Sequence, residues 1–208
     1  MYKRQINDCE KTLPSPVRTG YIFEGWKNAS GDYISKLPTS SYLDDLSLTA
    51  SWVEGTEGLT FITRHSGTAY VFVTGYIGNS ANVVIPTTYR GVPVECINAS
   101  AFKNQTQLIS ISLPDSLTSI GDYAFYGCTG LTSVTIGKGV TSIGDSAFRD
   151  CGLTSITIPD SVTSIGGSAF DNTLWYNNQP DGLVYAGKVA YKYKGLSLIH
   201  ISEPTRRS

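Results

Sequence analysis

Two cysteines, Cys128 and Cys151, stand 23 residues apart, and each closes the same local pattern, A-F-x-x-C. Thiols so placed have three chemistries open to them. They pack as small buried hydrophobes, they join in a disulfide, or they ligate zinc, which takes four nitrogen or sulfur donors. Adjacent Asp44 and Asp45 read either as paired carboxylates for acid–base work or as a solvated loop. Asp122 and Asp145 recur in equivalent G-D turns, and calcium there would need several more oxygen ligands gathered in one place. His65, in the loop-like segment T-R-H-S-G, would be a catalytic base only beside a nucleophile that the pattern does not supply. The chain has no phosphate-binding Gly-rich loop, no metal-ligand spacing and no G-x-S-x-G elbow. The expectation is a non-catalytic protein with no cofactor and no metal.

The elements that position these residues come from an internal repeat. Phe102, Phe125, Phe148 and Phe170 recur at steps of 23, 23 and 22, and Ile97, Ile120, Ile143 and Ile165 keep the same step. Ala101, Ala124, Ala147 and Ala169 do so too, giving four units of about 23 residues over residues 83–173, the first with a longer turn. In the segment LTSVTI, Leu131, Val134 and Ile136 point inward, while Thr132, Ser133 and Thr135 point out. A turn follows, Gly137-Lys138-Gly139 here and Pro-Asp-Ser in its neighbours. A second short extended segment then turns Val140 and Ile143 inward, Gly144 breaks it, and a helical turn inserts Ala147 and Phe148. One unit cannot bury its own apolar face, so the units must stack as a solenoid. Stacking places Cys128 and Cys151 in one column, with Cys96 on the opposite side in register with Ser119 and Ser142.

These residues carry a resemblance. The units L-T-S-V-T-I-G-K-G-V-T-S-I-G-D-S-A-F-R-D-C and L-T-S-I-T-I-P-D-S-V-T-S-I-G-G-S-A-F are similar to the BspA-type leucine-rich repeat, and residues 174–195 resemble the hairpin that interrupts such arrays. Residues 6–53, with Gly20-Tyr21-Ile22-Phe23-Glu24-Gly25-Trp26 and Leu46-Ser47-Leu48-Thr49-Ala50-Ser51-Trp52, resemble part of a Listeria–Bacteroides (InlB B-repeat-like) module. That resemblance implies a small β-grasp-like unit with Trp26 and Trp52 in its core. Residues 54–82 read as a linker and a hairpin that caps the first repeat. The expected fold class is thus mainly β: a leucine-rich-repeat solenoid of short strands and helical turns behind a small β-grasp-like fragment.

Both ends have another kind of resemblance. Residues 196–208 (LSLIHISEPTRRS) and residues 1–5 (MYKRQ) are similar to the translation of a transposase sequencing adapter read in opposite directions, so the chain is expected to be a fragment of a larger gene product. With those ends set aside, His65 is the one histidine left, and 12 Lys+Arg face 16 Asp+Glu, a net charge of −4. Such a balance gives no basic patch for nucleic acid, and no apolar run approaches the roughly 20 residues of a membrane span. The alternation in Leu196-Ser197-Leu198-Ile199-His200-Ile201 predicts that this tail pairs with the array as a strand.

What remains is surface. The outward positions of the repeated strand form columns, Ile109/Thr132/Thr154, Ser110/Ser133/Ser155 and Ser112/Thr135/Thr157, and Asp115/Lys138/Asp160 form a column of alternating sign in the turn. Ser110, Ser112, Thr132, Ser133, Thr135, Thr154, Ser155 and Thr157 are the candidate binding residues. The hydroxyls serve either β-propensity and solubility or a ligand platform. The BspA-type resemblance implies adhesion or protein–protein interaction in an extracellular or cell-surface bacterial protein, with a protein or glycan on host matrix or other cells as partner. The alternative is a structural spacer or accessory region of a larger surface enzyme. A single Met, 16% charged residues and abundant Ser, Thr, Gly and Tyr fit an extracellular β-rich chain.

Overall fold

Stacked apolar columns and short pairing segments produce the architecture of the computed structural model, which describes residues 13–34, 47–66 and 68–195. Cys9, Asp44, Asp45, the expected pairing of the 196–201 tail and the two adapter-like ends lie outside the described residues.

The first sheet is antiparallel, with β1 (Tyr21–Lys27) between β2 (Tyr33–Ile34) and β3 (Thr49–Glu54). Its aromatic residues sit differently from the expected core. Phe23 meets Trp26 and Trp52 edge-on at 5.7 and 5.3 Å, yet all three rings are only half-buried. Ile22 and Glu24 occupy the buried face instead. A β-bulge between Phe23 and Gly25 breaks the period-2 alternation, so Trp26 no longer follows the face on which Ile22 and Glu24 lie. That face packs toward the solenoid, where Glu24 holds Arg90.

A hairpin, β4 (Leu59–Ser66) and β5 (Thr68–Tyr76), comes next, followed by β6 (Asn82–Val84), β7 (Thr88–Tyr89) and β8 (Val92–Ile97). β5 runs parallel to β8, and the same sheet continues through β10 (Ser119–Ile120), β12 (Ser142–Ile143) and β13 (Ser164–Ile165). The hairpin therefore covers the first edge of the array. A second parallel sheet joins β6, β9 (Ser110–Ser112) and β11 (Ser133–Thr135). In register are Val83, Ile111 and Val134, and likewise Cys96, Ser119 and Ser142.

The third side of each unit was expected to be a helical turn. It is a hydrogen-bonded column of irregular turns. Tyr123, Phe125 and Gly127 donate their N–H groups to Asp145, Ala147 and Arg149 of the next unit, while Ala124, Tyr126 and Cys128 bond back to Gly121, Tyr123 and Phe125. Alternation of this kind requires left-handed residues. Ser100, Tyr123, Ser146 and Ser168 have φ of 53–60°, and Asn104, Asp150 and Asn172 have φ of 60–62° where Gly127 stands in the second unit. A left-handed conformation costs an L-residue about 1–2 kcal/mol, of which glycine returns about 0.5–1 kcal/mol through its larger unfolded entropy. Ser100→Gly, at an exposed position, should therefore stabilise the array by about 0.5–1 kcal/mol, read as a rise in the urea midpoint at constant m-value.

The core runs along the inside of the three columns. Phe102, Phe125, Phe148 and Phe170 are completely buried and stack ring on ring at 5.1, 5.0 and 5.6 Å. Tyr76 continues the stack at one end and Trp175 closes it edge-on at the other. Past the last unit, a short helix α1 (Leu174–Asn177), capped by the Thr173 hydroxyl, leads into the hairpin β14 (Gly182–Ala186) and β15 (Val189–Lys194).

Candidate functional site: the hydroxyl face

The candidate face is built on β9 and β11. Their registers place Ser110 beside Ser133 and Ser112 beside Thr135. Ser110 and Ser112 are half-buried, and Thr132, Ser133 and Thr135 are exposed. Ser110 Oγ donates to Asn82 Oδ1 at 2.6 Å, so the hydroxyl column continues into the first unit as an amide. The third row departs from the expected strand. Thr154, Ser155 and Thr157 are exposed, but residues 153–158 pair with no strand among the described residues.

The shortened turn explains the departure. Leu131 is preceded by Cys128-Thr129-Gly130, but Leu153 by Cys151-Gly152 alone, which is the missing residue in the 22-residue step. Leu153 stays fully buried, and its carbonyl accepts from Trp175 N–H at 2.8 Å. The ladder bonds that Thr132 and Ser133 donate to Ile109 O have no counterpart from Thr154 and Ser155 to Thr132.

Repeating residues with reactive side chains serve the stacking. Cys128 and Cys151 are free buried thiols whose S–H groups donate to Phe102 O at 3.0 Å and Phe125 O at 3.1 Å, each one unit back. The neighbouring Cys128 thiol, and after it burial, hold the Cys151 thiol above its ordinary range. Asp122 Oδ1 accepts the N–H of Asp145 at 2.8 Å, and Asp145 Oδ1 that of Gly167 at 2.6 Å. Their recurrence is thereby explained as a carboxylate ladder along the turns. No group of three or more His, Cys, Asp or Glu able to hold a metal occurs among the described residues. The Asp115/Lys138/Asp160 column does not pair by alternating charge: Asp115 accepts the backbone N–H of Lys138, and Asp160 pairs with Lys188 at 2.7 Å. His65 lies in β4 opposite Ala69, in a strand rather than the loop its sequence suggested.

Glu24 is a feature that the sequence did not disclose. This buried carboxylate accepts from Tyr33 OH at 3.0 Å, Ser51 Oγ at 2.8 Å and the N–H of Arg90, while Arg90 Nε donates to Glu24 O. It ties the first sheet to the turn between β7 and β8. A single glutamate whose partners lie 9, 27 and 66 residues away leaves no periodic signal.

At the far end, Asp171 anchors the closing hairpin. Lys192 Nζ donates to both of its oxygens at 2.9 and 2.7 Å, and Tyr191 OH donates to Oδ1 at 3.3 Å. Burial pushes this carboxyl up, but hydrogen bonds from Lys192 and Ser168 and the Lys192 charge together hold it below its ordinary 3.8. A carboxylate depressed in the folded state contributes stability above its unfolded pKa and loses it as pH falls through the folded one. Melting between pH 7 and pH 2 should therefore show a drop beginning below about pH 4, and Asp171→Asn should melt lower at pH 7 with a flatter acid limb.

A parallel, three-sided stack with its phenylalanine spine and hydroxyl-bearing strand column defines a leucine-rich-repeat solenoid. The chain belongs to the BspA type leucine rich repeat family, whose model matches residues 95–207 as six copies. Among curated proteins none matches. Of solved structures, the T. pallidum leucine rich repeat protein is 26% identical, with 56% of this chain and 65% of that chain covered and a TM-score of 0.48. A leucine-rich repeat protein from Bacteroides capillosus is 28% identical over 57% of this chain and 94% of its own, also with a TM-score of 0.48. A leucine rich cell surface protein from Faecalibacterium prausnitzii is 24% identical over 57% of this chain and 51% of its own, with a TM-score of 0.32. The chain thus spans about two thirds of the T. pallidum protein and half of the Faecalibacterium one.

Proposed function

We propose that this chain is the repeat-bearing part of a secreted or surface-exposed bacterial protein and that it binds a protein or glycan on host matrix or on other cells. The observation that carries this reading is the exposed row of Thr132, Ser133 and Thr135 at β11, beside which Thr154, Ser155 and Thr157 are exposed outside the ladder. Uncharged hydroxyls at fixed backbone spacing both donate and accept, as recognition of a polar neutral surface requires. Repeat solenoids use such extended surfaces for binding. No helix among the described residues is long and apolar enough to cross a membrane. Residues 6–53 stand in this reading as a partial accessory module, 54–82 as its junction with the array, 83–173 as the repeats and 174–195 as an inserted hairpin.

The test is surface plasmon resonance of the chain over immobilised fibronectin, collagen and a mucin-glycan surface. Saturable binding that the double substitution Thr132→Glu/Thr135→Glu weakens roughly ten-fold or more supports the reading, since both changes leave the buried column intact. Absence of saturable binding to all three surfaces favours the spacer role instead.

A further inference from the structure

The shortened turn before Leu153 leaves more than an irregular row. Between β11 and residues 157–161 opens a cleft of about 650 Å³, lined by Val134, Thr135, Ile136 and Lys138 on one wall and by Thr157 and Pro159 among others on the facing one. Val83 and Ile111, in the same column, are 1% and 2% exposed, whereas Val134 and Ile156 are only half-buried. The core is therefore open at this step. The edge of β11 is bare as well. Ser133 N–H bonds to Ile109 O and Thr135 O accepts from Leu113 N–H, so residues 133 and 135 face β9. In a parallel ladder alternate residues face opposite neighbours, which turns the N–H and C=O of Val134 toward the cleft. No strand pairs with that edge among the described residues.

We infer that this gap is a strand-addition site that takes one extended peptide from another protein, parallel to β11. Only an extended backbone satisfies the donor and acceptor of Val134 while covering Val134 and Ile156 with alternate apolar side chains. Charge sets a further demand. Asp160 is already neutralised by Lys188, while the Lys138 ammonium has no carboxylate partner among the described residues. The peptide accordingly carries an acidic residue four positions after the one that pairs with Val134. This site adjoins the hydroxyl face and shares Thr135 and Thr157 with it, but its recognition runs through the edge and interior of the sheet rather than its outward side chains.

The probe is a fluorescein-labelled, capped peptide Leu-Thr-Ser-Ile-Thr-Ile-Pro-Asp, the sequence of residues 153–160, whose register sets its Asp opposite Lys138. Fluorescence anisotropy with the full chain should give saturable binding. Lys138→Glu should weaken it roughly five-fold, and Val134→Pro, which removes the edge N–H, roughly ten-fold or more. A second variant guards against misfolding: inserting Thr between Cys151 and Gly152 restores the turn of the preceding unit, which should close the gap, raise the melting temperature and abolish binding. Hydrogen exchange supplies the independent readout, with Val134 N–H unprotected in the free chain and protected by peptide. No saturable binding, or binding indifferent to the inserted Thr, overturns the proposal. So does a Val134 N–H already protected without peptide, which would put a segment of the chain itself in the gap. Self-association that the inserted Thr abolishes would assign the gap to a second copy and overturns it equally.

Discussion

Phe125→Ala should destabilise the solenoid by about 3–5 kcal/mol, the usual cost of removing a fully buried aromatic ring from a core that cannot collapse around the void. Phe125 is completely buried and lies between Phe102 at 5.1 Å and Phe148 at 5.0 Å, with interplanar angles of 18° and 6°. Its backbone is held as well: Phe125 N–H donates to Ala147 O at 2.8 Å, and its carbonyl takes the Cys151 thiol. A hole at this level cannot fill by sliding the neighbouring rings, because Phe102 and Phe148 are held likewise, their N–H groups bonded to Ala124 O and Ala169 O of the next unit. Domains of ordinary stability hold 5–15 kcal/mol in reserve, so the loss is a large part of the whole. In a nearly one-dimensional array it also cuts nearest-neighbour coupling at the middle. Urea unfolding followed by tryptophan fluorescence should show a lowered midpoint and a shallower, less cooperative transition. Tyr185→Ala, on a ring 58% exposed at the hairpin surface, is the control and should stay within about 0.5 kcal/mol. A loss below about 1 kcal/mol for Phe125→Ala would contradict the spine as the source of cohesion.

What could be read in the sequence follows from what repeats. Phe102, Phe125, Phe148 and Phe170 recur because each fills the same place in successive units, and that demand leaves a period. The inward Leu131 and Ile136 and the outward Thr132, Ser133 and Thr135 were legible for the same reason, since strand alternation is a local property. The 22-residue step was visible too, but not its effect. Residues 153–158 fall outside the ladder because of the shortened turn before them, and the Leu153 carbonyl is bonded to Trp175, which lies outside the unit. The turn column was misread as helical because Ala-Phe spacing looks the same in a helix and in a turn. Apart from Gly127, the left-handed residues that distinguish them are Ser, Tyr, Asn and Asp rather than the glycine one would seek. Glu24 and Arg90 were illegible, being a single contact with no copy elsewhere. Of the candidate face, residues on β9 and β11 were placed by pattern, while the third row needed the structure.

Gly144→Ala should cost roughly 1–3 kcal/mol, and the reason separates close approach from backbone freedom. Gly144 needs no left-handed backbone. A methyl group there would lie 2.6 Å from Asp122 N and 2.7 Å from Gly121 C, and at Gly121 it would lie 2.6 Å from Ala99 N and 2.9 Å from Asn98 C. Asp122 Oδ1 is nearer still at Gly144, but the other obstacles are backbone atoms of the preceding unit, held by Gly144 N–H to Ile120 O at 2.8 Å and by Asp145 N–H to Asp122 Oδ1 at 2.8 Å. They cannot swing aside as a side chain would, so the units must part and strain both bonds, at the cost typical of overpacking. Gly167 supplies the contrast. Its methyl would meet nothing nearer than Asp145 Oδ1 at 3.7 Å, so Gly167→Ala should be neutral or stabilising by about 0.4–1 kcal/mol through lost unfolded-state freedom. Paired urea titrations of the two variants read the difference directly. Equal effects would mean that the recurring S-I-G glycine is kept for turn flexibility. A large loss at Gly144 alone means that it marks where one unit's backbone rests on the next.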